Sequence, residues 1–164
     1  MSDQQKGDAL QWSAALATGI ASLDQQHRSL FDCLTVLEQV AAERSMLRTF
    51  YVLEQLSNYA HTHFAEEEYL MRVHDYPRIA EHVREHRSFS NRLHQLRKIY
   101  LDRDISVELV SMLKDWLKHH VSEVDMDYVP FLVPDRRLAM PQTSAKFTAT
   151  GSFDRVRAEA AALT

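Results

Sequence analysis

Seven residues, His27, His63, Glu67, His82, His86, His120 and Asp125, follow the order H…H-x-x-x-E…H-x-x-x-H…H-x-x-x-x-D. Imidazole and carboxylate together are donors for divalent transition metals. On a helix, residues i and i+4 differ by only about 40° around the axis. His63 with Glu67, and His82 with His86, can therefore reach one centre. His120 and Asp125 are five apart, a rotation of about 140°, so Asp125 needs local helix distortion or a bridging position to join them. His119 with Glu123 has the tidier spacing, but His119 aligns with Asp115, Lys118 and Glu123, whereas His120 aligns with Trp116, Leu117 and Val124. Two octahedral ions need twelve donors. Five imidazoles, two carboxylates bridging through both oxygens and one shared oxo or hydroxo fill eleven. One position stays open for a small molecule.

The competing explanation is that these histidines are ordinary core residues. Of the 9 histidines, His61, His94 and His119 fall off the apolar stripes and read as surface residues, and His74 lies near a helix end. The other five interrupt apolar stripes, where an unpaired polar group costs ~1–3 kcal/mol. Glu67 and Asp125 in the same dry core would cost more. Divalent cations relieve both penalties together. Structural zinc sites favour cysteine, and the chain has only Cys33, which reads as a small buried hydrophobe. Magnesium and calcium prefer all-oxygen shells. Iron, manganese, cobalt and zinc remain open.

Four amphipathic helices must carry these residues, giving an all-α, antiparallel up-down-up-down four-helix bundle with an N-terminal arm and a C-terminal extension. The first helix, capped by Asp24 or Ser22, has the stripe His27, Leu30, Phe31, Leu34, Leu37 and Ala41. The second begins near Ser45, turns Leu53, Leu56, Ala60, His63, Phe64, Glu67, Leu70 and Met71 inward, and stops before Pro77. Pro77 suits the first turn of the third, which carries Ile79, His82, Val83, His86, Phe89, Leu93, Leu96 and Tyr100 on one face. The fourth starts near a capping Ser106, carries Leu109, Leu113, Trp116, Leu117, His120, Val121 and Val124, and ends at Pro130. The expected divisions are an arm over 1–22, the helical domain over 23–134 and an extension over 135–164. Within the extension, a linker rich in Thr, Ser and Ala precedes a short amphipathic helix over Ser152 to Leu163, with Phe153, Val156, Ala160 and Leu163 on one side.

A chain of 164 residues with 45% hydrophobic and 26% charged residues fits one soluble globular domain. Only 3 Gly and 4 Pro occur, which disfavours a turn-rich sheet protein. The net charge of -4 gives no electrostatic reason to bind nucleic acid or an anionic membrane. No apolar run reaches the ~20 residues needed to span a bilayer. The uncharged stretch from Ala9 to Leu23 is too polar for a strong export signal, so a cytoplasmic, monomeric protein is expected.

Beyond the seven donors, Trp12, Gly19-Ile20, Asp24 and His27, then His63-Phe64, Glu66-Glu67, Met71, Tyr76-Pro77, His82 and His86, and finally Trp116-Leu117, His120 and Asp125-Met126 resemble the motifs of the hemerythrin family, in its single-domain bacterial form. The resemblance spans about Trp12 to Phe131. It implies two iron ions, with His82, His86 and His120 on one, His27 and His63 on the other, and Glu67 and Asp125 bridging. It further implies reversible dioxygen binding at the iron with two histidines, for oxygen storage or delivery to oxygen-consuming enzymes. Leu117 matches a leucine of the dioxygen pocket. A reductase or oxygen-consuming enzyme is the implied partner. Ferritin-like di-iron proteins use Glu-x-x-His motifs, and no Glu here has a His three residues later. No general acid or nucleophile other than the donors themselves faces the pocket, so an enzyme is not expected, although peroxide or nitric oxide reduction at the same pair is a third reading. The rival to carriage is a sensor of oxygen, nitric oxide or redox state that signals through residues 135–164.

Overall fold

The computed structural model describes residues 10–133 and 153–163. Among them there is no strand, and four long helices dominate: α1 (Ala21–Glu43), α2 (Met46–Val73), α3 (Ile79–Ile99) and α4 (Ser106–His119). A π-helical turn (His120–Val124), a 3-10 turn (Asp125–Asp127) and the short α5 (Val129–Leu132) continue α4, and α6 (Phe153–Ala161) stands apart in sequence. α1 packs on α2 and α4, and α3 packs on α2 and α4, which is the expected up-down-up-down ring. No helix among the described residues is long and apolar enough to cross a membrane.

Local chemistry sets the helix ends, with several shifts from the sequence expectation. α1 starts at Ala21, and Asp24 acts from inside its first turn. Its carboxylate accepts the Thr18 N–H at 2.7 Å, the Thr18 hydroxyl at 2.8 Å and the Gly19 N–H at 3.2 Å. That clasp needs Gly19 at φ +86°, a region glycine enters without strain. Ser45 caps α2 as expected, accepting the Arg48 N–H at 3.4 Å. Pro77 lies in the turn before α3 and not in its first turn, since α3 begins two residues later. Ser106 is the first residue of α4 and not its cap; Ile105 holds the N-cap position, and the Asp104 carboxylate before it accepts the Ser106 N–H at 2.9 Å. Pro130 does not end α4. It sits in the first turn of α5, where its missing N–H costs nothing.

Two apolar cores result. The larger runs along the bundle from Leu30 and Leu117 to Val40 and Leu109. The smaller joins Ile20, Leu23, Met71, Tyr76, Tyr128, Val129 and Leu132 at one end. Along α1, His27 falls between the two, as does Glu67 along α2. Cys33 is buried in the larger core, where loss of water pushes its thiol well above the ordinary range. Leu10, Trp12 and Leu16 of the arm lie against the same core, and the Arg28 guanidinium covers the Trp12 ring at 4.0 Å.

α6 docks on α1 and α2. Val156 and Ala160 are buried in the larger core, while Leu163 is 37% exposed and does not join them as expected. The Phe153 side chain and the expected linker lie outside the described residues. Tyr51 donates its hydroxyl to Glu159, whose other oxygen pairs with Arg155 at 2.6 Å. Val156→Asp puts a charge into this apolar seam and should cost about 1–3 kcal/mol of docking. Trypsin cleavage at Arg155 and Arg157 should then be roughly ten- to a hundredfold faster, with metal content unchanged.

Candidate metal centre

All seven sequence-predicted residues converge. His27, His63, Glu67, His120 and Asp125 are fully buried, and His82 and His86 are 2% exposed. The i, i+4 pairs need only regular helix. The i, i+5 pair needs the π turn, in which the Asp125 N–H donates to the His120 carbonyl and so returns a residue five positions on to the same side. His61, His74, His94 and His119 are exposed, and His119 pairs with Glu123 at 3.1 Å away from the centre.

The carboxylates divide the histidines into two sets. Glu67 Oε1 lies 3.6 Å from both His27 Nε2 and His63 Nε2. Its Oε2 lies 3.0 Å from His86 Nε2, 3.6 Å from His82 Nε2 and 4.0 Å from His120 Nε2. Asp125 repeats the division, with Oδ2 3.1 Å from His27 Nε2, and Oδ1 3.0 Å from His120 Nε2 and 3.5 Å from His82 Nε2. Glu67 thus turns one oxygen to a two-histidine set and the other to a three-histidine set, and Asp125 turns one oxygen to His27 of the first set and the other to His82 and His120 of the second.

Cations fit this arrangement on two counts. Adjacent donors bound at about 2.1 Å to an octahedral ion are about 3 Å apart, close to the shorter of these separations. Buried polar atoms should also have partners, yet Nε2 of His27, His63 and His82 and both Asp125 oxygens have no hydrogen bond. His86 Nε2 and His120 Nε2 face each other at 3.2 Å. Ligand atoms of Glu67, His82, His86 and His120 lie within 4.8 Å of one another, as do those of His27, His63 and Glu67. Two cations, one in each set, satisfy atoms that the protein alone leaves unpaired.

The electrostatics carry the same message. Burial opposes charge on His27 and His120, but Asp125 and Glu67 outweigh it and raise the two to about 10 and about 9. Burial wins at His63, against the pull of the nearby Glu67 carboxylate, and lowers it to about 3. Burial and Glu67 push Asp125 upward, yet His120 and His27 hold it at about 2. The surrounding histidines likewise hold Glu67 well below its ordinary range. Two buried anions demand compensating positive charge, and protons or metal ions can supply it.

Several supporting residues were not legible as such in the sequence. Gln26 accepts the His63 Nδ1–H at 2.8 Å and donates to Glu66 at 2.5 Å. Glu68 accepts the His86 Nδ1–H at 3.1 Å. The Tyr128 hydroxyl donates to Glu67 Oε1 at 2.6 Å. Phe64 stacks on His86 at 3.9 Å, and Trp116 stacks on His120 at 4.4 Å. Gln26 and Glu68 sit next to His27 and Glu67 in sequence, the one signal that could have drawn notice. Tyr128 had none, because the turns after α4 decide where it points.

Residues 18–132 match the hemerythrin HHE cation binding domain. The chain belongs to the hemerythrin family. A bacteriohemerythrin of Stenotrophomonas maltophilia is 38% identical over 122 residues, 73% of this chain and 78% of the relative. One from Methylococcus capsulatus is 29% identical over 124 residues, 74% of this chain and 95% of the relative. The crystal structure of wild-type hemerythrin superposes with a TM-score of 0.71 at 28% identity, covering 75% of this chain and 97% of that one. The hemerythrin family holds a di-iron centre and binds dioxygen at non-heme iron, and the histidine and carboxylate cluster described above is able to hold those metals. α6 lies outside the matched span.

Proposed function

We propose that His82, His86 and His120 hold one iron, that His27 and His63 hold the other, and that Glu67 and Asp125 bridge them. The observation carrying this reading is the split of both carboxylates between a three-histidine and a two-histidine set. With a shared oxygen bridge, three imidazoles and two carboxylate oxygens would give one iron six donors. With two imidazoles the other would have five, which would leave one position for dioxygen. A reduced iron pair supplies electrons and an open position. The protein's own residues hold the donors in place and keep water out with the apolar cores on either side. The reading is of a cytoplasmic, monomeric dioxygen store or carrier, recharged by a reductase and serving oxygen-consuming enzymes. Reduced protein titrated with oxygen should hold two irons and take up one dioxygen per chain, released again under vacuum. Immediate conversion to the ferric state with free peroxide would overturn carriage.

Leu117, fully buried one turn before His120, supports a role in screening the vacancy. Leu117→Ala should cost about 2–5 kcal/mol of stability and, by opening the pocket to water, speed autoxidation of the oxygenated form. An unchanged autoxidation half-life would leave Leu117 as core packing alone.

A sensing reading finds support in one observation, the docking of α6 on α1 and α2 outside the family span. Tyr51, which holds α6, is twelve residues from His63 on α2, or roughly 18 Å at about 1.5 Å per residue. Different rates of trypsin cleavage in α6 with and without oxygen would favour signalling, and equal rates would favour carriage.

A further inference from the structure

We propose that Glu68 sets the electron-donor strength of the three-histidine iron, acting as a positioning residue through His86. This inference rests on the ligand assignment above. Two of the five imidazoles have a partner on Nδ1, and the partners differ in charge. His63 donates to the neutral amide oxygen of Gln26 at 2.8 Å, so the Glu66 carboxylate lies one residue further out. His86 donates directly to the Glu68 carboxylate at 3.1 Å. Nδ1 of His27, His82 and His120 is buried with no hydrogen-bond partner. Among the five, only His86 has an anion directly behind it.

An imidazole whose N–H is drawn toward a carboxylate carries more electron density on its other nitrogen and is a more basic ligand. The added density favours the ferric over the ferrous ion at that position. Phe64, stacked on the ring at 3.9 Å and 10° between planes, fixes the axis along which Glu68 acts. His86 is 2% exposed and the Glu68 side chain 20%, so water screens the interaction only in part. Arg72 holds the other Glu68 oxygen at 2.9 Å from a side chain that is 60% exposed. It partly neutralises the carboxylate, and its loss should strengthen the effect of Glu68.

The test compares the wild-type protein with Glu68→Gln, which keeps an acceptor oxygen but no charge, and with Arg72→Gln. Each is loaded with iron, assayed for metal content and titrated for its reduction potential. Glu68→Gln should weaken ferric relative to ferrous binding about tenfold, which is a rise of about 59 mV in a one-electron potential. Arg72→Gln should move the potential the other way, by less. A residue that merely braces His86 would give no such opposed pair of shifts. Two irons bound in every variant with equal potentials would overturn the inference. If Glu68→Gln fails to hold iron, Arg72→Gln decides: a lowered potential supports the inference and an unchanged one overturns it. A wild-type protein holding fewer than two irons overturns the ligand assignment and this inference with it.

Discussion

Glu67→Ala is expected to strip both metals from the protein, because Glu67 faces each half of the centre with a different oxygen. Its Oε1 is shared by His27 and His63, and its Oε2 by His82, His86 and His120. Removing a supporting hydrogen bond from a metal site typically costs 10- to 100-fold in affinity, and removing a bridging donor should cost at least ~100-fold. Metal analysis after dialysis should find well under one iron per chain. The fold should suffer as well. The Tyr128 hydroxyl loses its acceptor, and the raised His27 and His120 lose one of their two anions. Breaking a buried ion pair costs about 3–5 kcal/mol, equivalent to a Tm lower by roughly 6–20 °C for a chain of this size. Glu67→Gln separates the two effects, since it keeps the volume and an acceptor for Tyr128 while losing the charge. It should stay folded and still lose metal. Two irons retained in both variants would dismantle the proposed centre.

Chelation of the native protein should produce the second large change. Without cations, Nε2 of His27, His63 and His82 and both oxygens of Asp125 are buried with no hydrogen bond. An ion present at about a thousand times its dissociation constant stabilises the folded state by ~4 kcal/mol. Two ions should therefore hold the metal-loaded protein at least ~10 °C above its metal-free form in Tm. Calorimetry before and after chelation, with metal restored as a control, checks this. The metal-free form should remain helical, because much of the larger apolar core, Leu37, Val40, Leu53 and Leu109 among it, is built without the seven residues of the centre. Equal melting temperatures would mean that the seven residues bind nothing tightly.

The seven inward residues were legible because a period of 3.6 residues places them on stripes already marked by leucine and phenylalanine. His63 with Glu67 and His82 with His86 needed no tertiary information. Asp125 was half legible: its residue type and neighbours pointed inward while its spacing pointed away. The π turn resolves the conflict, and no local signal in His120–Val124 announces it. Helix ends were less legible for a related reason. Asp24 and Ser106 were read as polar caps, but which backbone N–H a polar side chain accepts depends on the path of the preceding loop, and Asp24 and Asp104 accept there instead.

By itself the sequence determined an all-helical bundle and which histidines and carboxylates turn inward, since these follow from periodicity and from the energetic cost of burying polar groups unpaired. Only the tertiary structure decided which oxygen faces which histidines, that Gln26 and Glu68 stand behind His63 and His86, and that α6 closes over α1 and α2. Those contacts join residues far apart along the chain, such as Tyr128 with Glu67 and Glu159 with Tyr51. Periodicity says which way a side chain points from its own helix. What it meets there is fixed only when four helices and their connecting turns pack together.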